Sequence, residues 1–380
     1  MVEKHRMYSV NWIDGMKINK DHFISMENAM IYRQHVINKS LITPYNFGIL
    51  PGFNGESALE ISFEVNAHNH VDIKVNRCMA ITSGGFIMDL DTETSEFSDF
   101  QISLNNFDVQ TAEGHSGVFY IMLKILPYAR MPIGNADPKE NPPRHPYVIP
   151  EYSVSIIPVE QMNKAGFGDF YQVIGKLHIK ENVPQLDKHY IPPCSKVSSD
   201  SRLLKMESDL LSYFSKLELD IMVIIRKIHM KEHKSPLATS VLLFADEIAT
   251  FQGLQITKQR LYLKHSPPVA LFEAVSQFAR LMRNTLDTLT PETKEKMINY
   301  FSDWCNLKQG ELEKLILDTV NFDYNHYEIA AVMSKLMTFM QTMSLLFETV
   351  SHLDYVGKRR DTNIYIKEEE KPKRSFLAED

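Results

Sequence analysis

Hydrophobic spacing along this chain changes period once, near residue 200, and that change limits the possible folds more than any single motif. Before it, Leu59-Glu60-Ile61-Ser62-Phe63-Glu64-Val65 and Val71-Asp72-Ile73-Lys74-Val75 alternate apolar and polar residues. A half-buried strand must do so, because successive side chains leave it on opposite faces. Val118-Phe119-Tyr120-Ile121-Met122-Leu123 is an unbroken apolar run, which suits a strand covered on both sides. Val154-Ser155-Ile156-Ile157 and Val173-Ile174-Gly175-Lys176-Leu177-His178-Ile179 complete the set. Gly84-Gly85-Phe86 marks a turn, since glycine reaches positive φ without a Cβ penalty. Short strands between turn signals predict a β-sandwich.

After Ser198 the spacing becomes helical. Leu203, Leu210, Phe214, Leu217, Ile221, Ile224 and Ile228 fall at steps of four and three, broken only by Glu207. That places them on one stripe resembling a coiled-coil seam. Ser235-Pro236, Ser266-Pro267 and Thr290-Pro291 each offer a capping hydroxyl followed by proline, a helix-start signal. Apolar residues then follow at Leu242, Leu243, Ile248 and Phe251, and at Leu271, Val275, Phe278, Met282, Leu286 and Leu289. A second seam comprises Ile329, Met333, Leu336, Met340, Met343, Phe347 and Val350. The two seams are read as antiparallel partners within one bundle, or as the core of a trimer. Methionine suits a flexible binding groove, but at seam positions it is read first as core filler.

The fold class expected is therefore α+β, an N-terminal β-sandwich over 1–198 followed by a helical bundle over 199–355 and a charged tail over 356–380. Seven prolines between 127 and 150 exclude helix and central strand, as each removes a backbone donor. This stretch is expected to be a long, semi-stiff arm.

Charge and cysteine usage narrow the function. With 41 basic against 48 acidic residues the formal net charge is −7, the wrong sign for a protein whose affinity comes from neutralising phosphates; no nucleic-acid partner is expected. Cys78, Cys194 and Cys305 lie far apart and are odd in number, which argues against disulfides and for a reducing cytoplasm. The N-terminus lacks a signal-peptide core, and no window reads as a membrane span of roughly 20 apolar residues.

Candidate chemistry is sparse. His68-Asn69-His70 spells a nuclease-like tripeptide whose imidazoles would share one strand face, yet no third ligand stands nearby. Asp21-His22 lacks an accompanying nucleophile motif. Gly166-Phe167-Gly168-Asp169 is too short for a dinucleotide fingerprint, and no phosphate loop occurs. Lys358-Arg359-Arg360 could touch anionic lipid or acidic protein, although acidic residues 368–370 follow. No catalytic residue, cofactor or metal site is assigned. A metal-dependent hydrolase using His68 and His70 stays open as an alternative.

The segment Val10-Asn11-Trp12-Ile13-Asp14-Gly15-Met16-Lys17-Ile18-Asn19-Lys20-Asp21-His22-Phe23 resembles the opening of the TssK family of type VI secretion baseplate proteins. There W-x-(acidic)-G-M precedes an H-F pair. Trp12, Asp14, Gly15, Met16, His22 and Phe23 match, whereas Lys20 and Asp21 stand in for the usual proline and glutamine. Pro44-Tyr45-Asn46-Phe47-Gly48, Ile191-Pro192-Pro193-Cys194, Ser266-Pro267-Pro268 and Tyr324-Asn325-His326 resemble further family motifs in the same order.

The resemblance implies a shoulder sandwich similar to phage receptor-binding proteins and a helical neck, assembled as a homotrimer. It also implies that the shoulder holds the TssF–TssG wedge and that a C-terminal head meets the membrane complex. Only the tail follows the last helix here, so that contact is expected from the neck tip or from 358–380. A phage-like receptor-binding protein is the alternative in the same architecture. Trp12, Met16 and Phe23 around Gly15 form either shoulder core, the reading preferred on size, or an aromatic interface with the wedge.

Overall fold

The computed structural model describes residues 6–53, 55–65, 70–91, 99–103, 117–160, 168–180, 183–231, 234–305, 307–308 and 310–357, with the side chains of His70, Ser103 and Lys180 excepted. His68, Asn69, Gly166, Phe167 and the tail from Lys358 lie outside them, as does the side chain of His70.

One antiparallel sheet is centred on β3 (His70–Ile81). β2 (Leu59–Val65) and β1 (Gly48–Ile49) pair with β3, as do β4 (Ile87–Asp91) and β5 (Asp99–Ser103). The second sheet runs β7 (Tyr147–Pro158), β6 (Gly117–Ile133), β8 (Tyr171–Lys180), β9 (Val183–Leu186). Ile73, Val75, Cys78 and Ala80 of β3 share one buried core with Ile121, Leu123 and Ile125 of β6. The even-numbered Tyr120 and Met122 are equally buried, but in a separate cluster with Val173 and Tyr190. Both faces of β6 are therefore covered, which accounts for its unbroken apolar run.

The proline-rich stretch is neither helix nor central strand, but much of it is paired. Beyond Lys124 strand β6 loses β8 and pairs with β7 alone, forming a two-stranded ribbon up to Ile133 and from Tyr147. Only residues 134–146 form a loop. Prolines are tolerated because the ribbon leaves each strand one unpaired edge; the ladder skips Pro127 between Leu126 and Arg130, and Pro132 and Pro150 sit opposite Val148 and Arg130.

The helical half contains α2 (Ser201–His229), α3 (Pro236–Tyr262), α4 (Val269–Asp287), α5 (Pro291–Trp304), α6 (Glu311–Val320) and α7 (Ile329–His352). Asp200 starts α2 by accepting from the Arg202 amide at 2.8 Å. Ser235 and Thr290 cap α3 and α5 through their hydroxyls. Ser266 does not act likewise: its hydroxyl donates to the Tyr262 carbonyl, and the Pro267-Pro268 pair delays α4 until Val269. On α3 the buried residues are Val241, Phe244, Ala245 and Ile248 among others, whereas Leu243 faces outward.

Leu203, Leu210, Phe214, Leu217, Ile221, Ile224 and Ile228 are buried on α2, as are Ile329, Met333, Leu336, Met340, Met343, Phe347 and Val350 on α7. None is more than 3% exposed within one chain, so these side chains have no surface left to offer a second copy. The two helices run parallel rather than antiparallel. Both begin at the sandwich, where the Arg202 guanidinium donates to the Lys188 and Tyr190 carbonyls. Both end together, where Lys227 Nζ donates to the Ser351 and Leu353 carbonyls at 2.7 and 2.9 Å. The chain returns through α3 and again through α6, so α7 sets out in the direction of α2.

Helices α3 (with its following turn, Pro236–His265) and α7 are long and apolar enough by composition to cross a membrane, which amends the sequence expectation. Their apolar residues include bundle core: Phe244 and Phe347 stack at 6.4 Å, and Phe301 meets both.

The segment 321–328 locks the halves together. His326 Nε2 lies 2.9 Å from the Phe47 carbonyl and Nδ1 lies 2.8 Å from the Tyr324 hydroxyl. Two residues on, the Glu328 carboxylate accepts from Lys176 Nζ at 2.7 and 2.9 Å and from the Tyr120 hydroxyl. Register sets up this contact, since Tyr120 lies directly across from Lys176 on β6 and β8.

Candidate functional site

Helix α1 (Lys20–Leu41) and the strap before it form an apolar surface outside both cores. Asn19 initiates the helix: its Oδ1 accepts from the Asp21 and His22 amides, and His22 Nδ1 accepts from the Asn19 amide at 3.1 Å. His22 is thereby committed to a capping box, which leaves Asp21-His22 no acid–base geometry of its own.

Gly15 adopts φ +77 and the Met16 amide reaches back to the Ile13 carbonyl. This turn lays the preceding residues back along α1. Ser9 Oγ accepts from Arg33 Nη2, and the Trp12 ring packs 6.1 Å from His22 and 6.4 Å from Phe23. The structure thus brings Trp12, Asp14, Gly15, Met16, His22 and Phe23 into one corner.

That corner is not shoulder core, contrary to the reading preferred on size. Trp12 and Phe23 remain 46% and 50% exposed. The interior between the sheets is filled by β3, β4, β6 and β8, and α1 contributes to the buried set through Ala29. Met16 is half-buried and Asp14 and Gly15 are exposed.

The helix continues the surface. Phe23, Met30 and Ile37 repeat every seven residues and Leu41 follows at four, all of them exposed, a spacing that places them on one stripe. The opposite face is fixed to the sandwich by mainly polar contacts. Asn38 Nδ2 donates to the Gly85 carbonyl, Lys39 Nζ to the Ser83 carbonyl and Asp169, and His35 stacks 4.0 Å from Phe86. Arg130 on the ribbon pairs with Glu27. The sequence signal for the stripe was present in the 23–30–37 repeat, but an apolar row on a helix reads equally as core until something else is seen to fill the core.

The three cysteines are poorly suited to act as nucleophiles. Burial pushes the Cys78 and Cys305 thiols up to about 12 and about 11, and raises Cys194 as well; only a thiolate is a competent nucleophile. Among the described residues no three His, Cys, Asp or Glu side chains gather as a metal set.

No family model matches the chain, and no curated protein matches its sequence. Solved structures do match. A crystal structure of TssK superposes with TM-score 0.51 at 14% identity, over 89% of this chain and 69% of that one. A chain of the TssK–TssF–TssG baseplate subcomplex of the type VI secretion system, determined by cryo-electron microscopy, superposes with TM-score 0.50 at 11% identity, over 89% and 98%. The chain has the fold of TssK.

Proposed function

We propose that this protein is a non-catalytic adaptor of a type VI secretion baseplate. It works as a homotrimer in the cytoplasm, at the inner face of the bacterial inner membrane. Wedge proteins of the TssF and TssG kind dock at its sandwich end, and the membrane-anchored complex is reached from the bundle. The observation that carries this reading is the Trp12–Phe23 corner continuing into the Phe23–Met30–Ile37–Leu41 stripe. A monomer seldom leaves so many large apolar side chains adjoining on one surface unless a partner covers them.

A separate surface suits contact between copies. The buried seams are used within one chain, but the outer row of α2 exposes Leu219 at 70%, Met222 at 40% and Val223 at 38%. On this reading copies meet along that row, not through the seams.

Light scattering during size exclusion tests the assembly: the expected mass is three times 43.9 kDa. Co-expression with the TssF and TssG proteins of the same bacterium tests the function, with co-purification as the expected outcome. A concentration-independent monomer that captures neither protein would sink the proposal.

A further inference from the structure

The bundle end farthest from the sandwich carries charge of the opposite sign to the whole protein. Helix α2 leaves the sandwich at Ser201 and ends at His229; 29 residues at about 1.5 Å each carry its end roughly 43 Å away. Around that end stand Arg226, Lys227, Lys231 and Lys234, with His229, His352 and Asp354. Among the described residues at this end there are thus four Lys or Arg against one acidic residue, in a protein of net charge −7.

This end also has shape and apolar character. A cavity of about 220 Å³ opens between the end of α2, the start of α3 and residues 355–357, lined by Lys227, Lys231, Lys234, Ser235 and Tyr355. Lys227 uses two of its donors on the Ser351 and Leu353 carbonyls. Lys231 lies 4.1 Å over the Tyr355 ring, and Lys234 Nζ is 3.3 Å from His229 Nδ1. Tyr355 is 61% exposed and Met230, capping α2, is 84% exposed.

We infer that this end binds the headgroups of anionic phospholipid at a bilayer surface. Cations beside an anionic membrane are each attracted to it, and a tyrosine and a methionine at the same level suit the zone between headgroup and acyl chain. An acidic protein would be drawn by the lysines but would leave Met230 and Tyr355 unexplained. The basic end does not depend on the identity of any baseplate partner, and so stands apart from the proposal above.

The experiment is flotation of the full chain with vesicles of neutral phosphatidylcholine, alone or with 30% phosphatidylglycerol, in low and high salt. Capture only by the anionic vesicles, released by salt, is the expected result. The double variant K231E/K234E should weaken it at least about 25-fold, at about fivefold for each cation lost. M230Q, which removes the apolar side chain without changing charge, should weaken it while leaving attraction to a polyglutamate peptide unchanged. All three positions are exposed, and an unaltered melting temperature establishes that each variant is folded. Equal capture by neutral vesicles, unchanged capture of K231E/K234E, or binding of polyglutamate without any vesicle capture would each overturn the inference.

Discussion

Lys176 on strand β8 and Glu328 at the head of helix α7 are 152 residues apart in sequence and joined by two contacts of 2.7 and 2.9 Å. The lysine side chain is 14% exposed and the glutamate 25%. The ammonium also lies 5.8 and 5.7 Å from the Tyr120 and Tyr190 ring centres. The pair fastens the last bundle helix to the outer face of the second sheet, and removing either partner strands a mostly buried charge.

E328A should therefore destabilise the protein by about 2 to 4 kcal/mol, since a buried ion loses its partner and the Tyr120 hydroxyl its acceptor. E328Q keeps an acceptor for Tyr120 and should cost about half as much. The combination K176M/E328Q removes both charges and should recover part of the loss. Urea unfolding of the four proteins checks this; equal midpoints for wild type and E328A would show that the contact contributes nothing.

Acidification should loosen the same joint through His326. Burial holds its imidazole down to about 4, against an ordinary 6.5, with the bond to the Phe47 carbonyl opposing that shift. The folded pKa is lowered, so between pH 6.5 and 4 the unfolded chain binds more protons and stability rises with pH. The contribution is complete above about 6.5 and is lost as pH falls towards 4. Its upper bound is about 3 kcal/mol, at 1.36 kcal/mol per unit. Urea midpoints at pH 7.5, 5.5 and 4.5 should fall for wild type more steeply than for H326N, which removes this titration. Parallel pH profiles would contradict it.

How this joint arises bears on what sequence can show. Both seams were legible as single helix faces because spacing fixes which residues share a face, and all fourteen residues are buried. Their relative direction was not legible, because it depends on how often the chain crosses the bundle between Ile228 and Ile329. The contact of Lys176 with Glu328 left no local trace either. Trp12 illustrates the opposite failure: its size favours burial, but whether room remains inside depends on strands elsewhere. At 127–150, proline excluded a central strand and still permitted a ribbon.

Two glycines separate backbone strain from packing. Gly48 has φ +114, and a Cβ there would lie 2.0 Å from the Pro193 carbonyl oxygen, against the segment that receives the Ile49 amide. G48A must displace backbone, and should cost more than about 3 kcal/mol or abolish soluble expression. Gly15 has φ +77 with nothing within 4 Å of the added carbon, so G15A should cost only the left-handed backbone strain, about 1 to 2 kcal/mol. Similar melting temperatures for the two variants would refute the distinction.

The exposed corner gives the most direct test of function. Trp12 and Phe23 touch each other and His22 while remaining close to half exposed. W12A and F23A should therefore leave the unfolding midpoint within about 0.5 kcal/mol of wild type, as substitutions outside a core do. A buried aromatic would instead cost about 3 to 5 kcal/mol. If the corner receives wedge proteins, each variant should lower capture of a TssF–TssG pair by about tenfold or more, as a central interface aromatic contributes 2 kcal/mol or more. L219D, on the outer row of α2, should leave that capture intact per copy but reduce the solution mass towards one chain. The crossed pattern discriminates the two surfaces: loss of capture without loss of mass for W12A, and the reverse for L219D. Loss of both by either variant would mean that the surfaces are not independent, and destabilised W12A would return Trp12 to the core.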